Sequence, residues 1–125
     1  MSKISGKNTK PEIIIRKIAH NLGYRFRLHK KDLPGTPDLA FPKYKKVIFV
    51  NGCFWHGHSK CSRSKLPTTR KKFWKEKIAG NKKRDKASKI KLKNLGWDYL
   101  VIWQCEIQKS NYDLIANKIQ NFLSN

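Results

Sequence analysis

Acidic residues are what this chain most lacks. Its 125 residues hold 8 Asp and Glu against 29 Lys and Arg, a formal charge of +21. Such an imbalance describes partners rather than fold. It argues against an acidic, self-solvating chain and makes a polyanion the first candidate partner, nucleic acid before any other. Cysteine is scarce too. Three is an odd count, and with no secretory pattern it speaks against a disulfide framework and for a metal site in a reducing compartment. No apolar run approaches the ~20 residues a bilayer-spanning helix needs. The first seven residues, Met1 to Lys7, lack an apolar segment, so no signal peptide is expected and a cytoplasmic protein is. Internal repeats and long linkers are absent. The length then suggests one domain over residues 1–125 with one modest core, residues 1–8 forming a loose leading segment.

The periodicities that are present outline a small α/β domain. Thr9-Lys10-Pro11-Glu12 has the form of a capping box. Ile14, Ile15, Ile18, Ala19 and Leu22 follow at helical spacing, and Gly23 is a natural stop. Tyr24, Phe26 and Leu28 alternate with Arg25, Arg27 and His29, which predicts a strand. Residues 32–38 are rich in turn formers, and residues 39–41 and 46–50 read as paired strands. Two helices are predicted at 71–78 and 82–95, the second very basic and closed by Gly96. A strand at 97–103 and a final helix capped by Asn111 complete the chain. That helix is expected to carry Leu114, Ile115, Ile119, Phe122 and Leu123 on one inward side. The order implies a mixed central sheet flanked by helices.

The densest chemistry lies in Gly52-Cys53-Phe54-Trp55-His56-Gly57-His58-Ser59-Lys60-Cys61. Structural zinc takes four Cys or His ligands. Cys53, His58 and Cys61 offer three from one loop. Cys105 offers the fourth, provided the strand before it neighbours residues 47–50. His56 is the alternative to His58. Inert buried thiols would account for the same cysteines without a metal. Phe54 and Trp55 are adjacent and flanked by glycines. On a loop they could project together as a wedge between base steps, with Trp74 as a second stacking surface. Phe73, Trp97 and Trp103 read as core.

Because acids are few, each one matters. Asp38 follows Pro37 at the mouth of a strand, and Gly35 allows close backbone approach. It fits an Mg²⁺ ligand and an Asx-turn residue equally well. Glu12 carries the same two kinds of reading, and its place in the capping box accounts for it fully without a function. His56 is either a proton-transfer group or a ligand. Asp113 reads as a capping residue. The remaining acids read as surface or ion-pair residues, and His20 and His29 carry no functional signal.

TKPE at 9–12, LHKKDLPGTPDLAFPKYKKVIFVNGCFWHGH at 28–58, TRKKFW at 69–74, RD at 84–85 and GWDYLVIWQC at 96–105 together resemble the very-short-patch repair (Vsr) DNA mismatch endonucleases. The likeness spans residues 3–108. It implies a restriction-endonuclease-like fold with a structural zinc, and Mg²⁺-dependent nicking beside the T of a T:G mismatch arising from 5-methylcytosine deamination. Position by position, it implies Asp38 and the Val50 carbonyl as Mg²⁺ ligands. Glu12 and His56 would act on the attacking water and the phosphate. Cys53, His58, Cys61 and Cys105 would hold zinc, and Phe54, Trp55 and Trp74 would intercalate. The resemblance further implies a monomer in the bacterial cytoplasm acting on nucleoid DNA, with functional links to a DNA cytosine-5 methyltransferase and to mismatch-repair proteins. Three departures stand out. Val50-Asn51 replaces the Thr-His of well-known members, His58 and Cys61 are one residue further apart, and Gln104 replaces a frequent Glu. Asn51 can orient water but cannot take a proton near neutral pH.

Overall fold

The structure is a computed structural model that describes residues 10–29, 31–53 and 66–124. It begins with helix α1, Lys10–Asn21, which buries Glu12, Ile15 and Ala19. Gly23 ends it with φ of 91°. The Gly23 and Tyr24 amides donate to the carbonyls of His20 and Ala19, so two of the helix's last carbonyls are satisfied by the left-handed glycine that follows.

Among the described residues four strands form one sheet in chain order: β1 (Arg27–Leu28), β2 (Leu39–Phe41), β3 (Lys46–Asn51) and β4 (Asp98–Trp103). β1 and β2 are antiparallel, as are β2 and β3, while β3 and β4 run parallel with Val47 opposite Tyr99 and Asn51 opposite Trp103. Parallel neighbours need a long crossover, and here it contains helix α2, Lys71–Asn94. The mixed sheet expected from the sequence is present. The strand expected from residue 24 is shorter, because Tyr24 and Phe26 pack edge-on against Phe41 instead of joining the ladder.

Side-chain alternation divides the interior in two. Leu39, Phe41, Ile48 and Ile102 meet Ile15 and Ala19 of α1 and Ile115, Ile119 and Leu123 of helix α3, Tyr112–Ser124. Ala40, Val47 and Phe49 face the other way and meet Leu33 and Leu92, the latter from α2. The sheet therefore lies between α1 and α3 on one face and α2 on the other. Buried Lys46, at the start of β3, donates to the Phe122 carbonyl at 2.5 Å, which ties the sheet to the carbonyl end of α3.

Three expectations need correction. Residues 71–78 and 82–95 are one continuous helix, because Gly80 lowers helix propensity by only ~1 kcal/mol and does not remove a backbone donor. Leu114 is 67% exposed and Phe73 43% exposed, so neither belongs to the core. The Leu114 error follows from helix phase: Ile115, Ile119 and Leu123 form the inward stripe, and position 114 precedes it by one residue. Asn111, expected to cap α3, is the residue immediately before that helix and closes a short 3-10 turn, where its side-chain amide donates to the Glu106 carbonyl.

Candidate active site

The site is assembled where the loop 32–38 enters β2. Gly35 has φ of 79°. A Cβ there would lie 3.0 Å from Ser88 Cβ and 3.1 Å from Phe49 Cε1, so only glycine lets this turn pass between α2 and β3. The chain then delivers Asp38. Its Oδ2 accepts a 2.6 Å hydrogen bond from the Val50 amide near the end of β3. This bond fixes the Asp38 carboxyl against the Val50 main chain.

Glu12 reaches the same place from α1. It is only 3% exposed. Its Oε2 lies 3.4 Å from Arg16 Nη2, one turn along the helix, and 3.2 Å from His29 Nε2. Donor atoms of Glu12, His29 and Asp38 all lie within 4.8 Å of one another. A buried and a half-buried carboxylate have thus been brought together. Burial, foremost, raises the Asp38 pKa from 3.8 to about 7. The neighbouring Glu12 raises it further, while the Val50 amide and Arg16 oppose the rise. Such a donor set suits a divalent cation with oxygen preference, whose charge would favour the ionised form of both carboxyls.

His29 was not marked by any local pattern. It has φ of 46°, a conformation that costs a residue other than glycine of order 1 kcal/mol. Its amide donates to the Asp38 carbonyl at 3.2 Å. The signal that could have found it is register. Arg27 pairs with Ala40 and Leu28 with Leu39, so the next step of the ladder sets residue 29 opposite residue 38.

A family model described as DNA mismatch endonuclease Vsr matches residues 1–63. The type II nicking enzyme V.XorIIP of Xanthomonas oryzae pv. oryzae is 46% identical over 123 residues, covering 98% of this chain and 88% of that protein. The type II nicking enzyme V.NmeAIP of Neisseria meningitidis serogroup A is 42% identical over 108 residues, 86% of this chain and 76% of that protein. The DNA mismatch endonuclease Vsr of Escherichia coli is 39% identical over 108 residues, 86% of this chain and 69% of that protein. The chain belongs to the Vsr family of DNA mismatch endonucleases. It is a DNA endonuclease.

Within this Vsr-family chain the remaining expected residues fall into two groups. Asn51 is 5% exposed and sits opposite Trp103, immediately after Val50. Cys53 is fully buried and Cys105 half-buried. They follow Asn51 and Trp103 by two residues each, so the parallel pairing of β3 and β4 carries both cysteines to one sheet edge. Glu106 steadies that edge. Its carboxylate accepts from the Trp103 amide at 2.8 Å and from Lys118 of α3 at 2.9 Å. Trp74, half-buried in the first turn of α2, stacks edge-on against Phe73 with ring centroids 5.1 Å apart. The Arg70 guanidinium covers Phe73 at 4.3 Å. Phe54, Trp55, His56, His58 and Cys61 lie outside the described residues.

Proposed function

We propose that the protein nicks the T-containing strand beside T:G mismatches in double-stranded DNA, with Mg²⁺ held by Asp38 and Glu12. The observation that carries this reading is the convergence of Asp38 and buried Glu12 in a chain with so few acids. Desolvated carboxylates are costly, and the meeting of two of them in a DNA endonuclease supports a cation between them. Asp38, Glu12 and the Val50 carbonyl would hold it. Once bound, Mg²⁺ would supply positive charge to the scissile phosphate and its leaving oxygen.

The chain's own groups have separate tasks. Asp38 stays anchored through the Val50 amide. Asn51, next in line, orients the attacking water by hydrogen bonding. His56 exchanges a proton with the water or the leaving oxygen. Phe54 and Trp55 enter the base stack at the mismatch, with Trp74 beside Phe73 and Arg70 as a second stacking surface. The layered sheet is the restriction-endonuclease-like core that presents these groups. Zinc, held by Cys53, His58, Cys61 and Cys105, would fix the intercalating loop to the sheet edge where β3 and β4 end. The approach of Cys53 and Cys105 to that edge supports this ligand set.

Nicking of end-labelled duplexes that differ only in a T:G, T:A or C:G pair tests the reading. Mg²⁺-dependent cutting of the T strand of T:G alone, lost in Asp38→Asn, is the expected result. Equal cutting of matched duplexes would instead indicate a sequence-specific restriction-type nuclease. Tight binding with no cutting would indicate a zinc-containing binding module. For zinc, Cys105→Ser should lower both the bound metal and the melting temperature. Unchanged zinc content would remove Cys105 from the ligand set.

A further inference from the structure

The His29 ring occupies a place that neither a regular strand nor a surface loop would give it. It follows β1, and its main-chain amide binds the Asp38 carbonyl at 3.2 Å. Continued alternation would send its side chain to the Ala40 face, which packs against Leu92 of α2. Glu12 belongs to α1, on the other face. The left-handed backbone at His29, φ 46°, breaks the alternation. The ring then meets the Glu12 carboxylate with Nε2 3.2 Å from Oε2, and its side chain is 14% exposed. Local strain at a site-forming residue persists only where the surroundings hold it in place. Here one main-chain bond to Asp38 and one side-chain bond to Glu12 do so.

We propose that His29 is a positioning residue of the catalytic centre: its Nε2–H donates to Glu12 and holds that carboxylate in register with Asp38. One residue thereby couples the two acids, by main chain to one and by side chain to the other. Glu12 stands on α1 and Asp38 immediately before β2, so a residue bonded to both adds a tie between helix and sheet. A carboxylate can only accept, so the bond requires the ring tautomer with hydrogen on Nε2. Partners that orient cation-binding groups in this way typically contribute 10–100-fold to affinity or activity.

The inference rests on the cation reading of Asp38 and Glu12. The test counts Mn²⁺ bound to the whole chain without DNA, by the electron-spin signal of free Mn²⁺, with Mg²⁺ as competitor. His29→Ala should weaken Mn²⁺ binding at least tenfold. His29→Gln, which keeps an N–H donor, should recover most of that loss at an unchanged melting temperature. Asp38→Asn should abolish site binding. If His29→Ala binds like the native protein while Asp38→Asn does not, the positioning role falls and the cation site stands. If Asp38→Asn also binds like the native protein, both readings fall. A ¹⁵N–¹H spectrum of the native ring is a second check that no unfolding can confound: hydrogen on Nδ1 instead of Nε2 overturns the proposal.

Discussion

Asp38 is the residue whose behaviour is most sharply set by its surroundings. Its pKa of about 7 means that the folded, cation-free protein keeps a proton that the unfolded chain releases near 3.8. Between these values the unfolded state binds fewer protons, so stability falls as pH rises. This contribution is complete below about pH 3.8 and is lost as pH passes through about 7. Its ceiling is about 4 kcal/mol, from ~1.4 kcal/mol per pH unit. Calorimetric melting of the cation-free protein should show the decline, and Asp38→Asn should flatten it. A cation competes with the same proton. Mn²⁺ affinity should therefore rise about tenfold per pH unit up to about pH 7 and level off above it. A flat profile would show that Asp38 is already ionised at low pH. The same residue scale explains why Asp38 is legible from its motif and Glu12 is not. Gly35, Pro37 and Asp38 are neighbours in sequence. The TKPE pattern accounts for Glu12 locally as a capping-box residue, and nothing local indicates that its carboxylate turns inward.

Among the elements, α2 departs furthest from its sequence pattern. Its 24 residues include eleven Lys and Arg against Glu76 and Asp85, and only Ile78 and Leu92 are buried. An apolar stripe is what marks a helix in sequence, and this helix has almost none. Gly80 and Asn81 then resemble a break. In the structure the Arg84 guanidinium donates to Asn81 across the supposed gap, and the helix continues. Two glycine substitutions should therefore move in opposite directions. Gly80→Ala meets only Arg84 Nη1 at 3.7 Å, an ordinary contact, and should stabilise by up to ~1 kcal/mol. Gly35→Ala must fit against Ser88 and Phe49 at positive φ and should destabilise by roughly 1–3 kcal/mol. Urea unfolding of both variants checks this. A destabilising Gly80→Ala would mean that the helix bends or opens there.

For the molecule as a whole, charge governs how it meets DNA. Every bound phosphate releases counterions, so affinity should fall by about 10³–10⁵ between 50 and 200 mM salt if 6–10 phosphates are contacted. The exposed Lys82, Lys83 and Lys86 of α2 are the natural candidates for such contacts. Replacing all three with Gln should reduce the slope of log affinity against log salt by about 1 per lysine that touches a phosphate. Matched and mismatched duplexes should lose affinity alike, because phosphate contacts carry no sequence information. An unchanged slope would place the DNA on another face. Charge of this size also makes the pairing of Glu12 with Asp38 stand out, since it gathers two of the chain's 8 acids at one place in a strongly positive molecule.

Composition and local pattern were enough for the polyanionic partner, the strands at 39–41 and 46–50, the glycine stops after α1 and α2, and the motif carrying Asp38. Each depends on residues within a few positions of one another, where period, turn chemistry and charge act directly. The pairing of β3 with β4, which brings Cys53 and Cys105 to one edge, depended on a conditional that only the fold could resolve. Three further features were decided by tertiary structure alone: the inward turn of Glu12, the exposure of Phe73, and the meeting of His29 with Glu12 across 17 residues. Their cause is the sheet. Its register sets residue 29 beside residue 38, and the packing of α1 on one face brings position 12 to meet them.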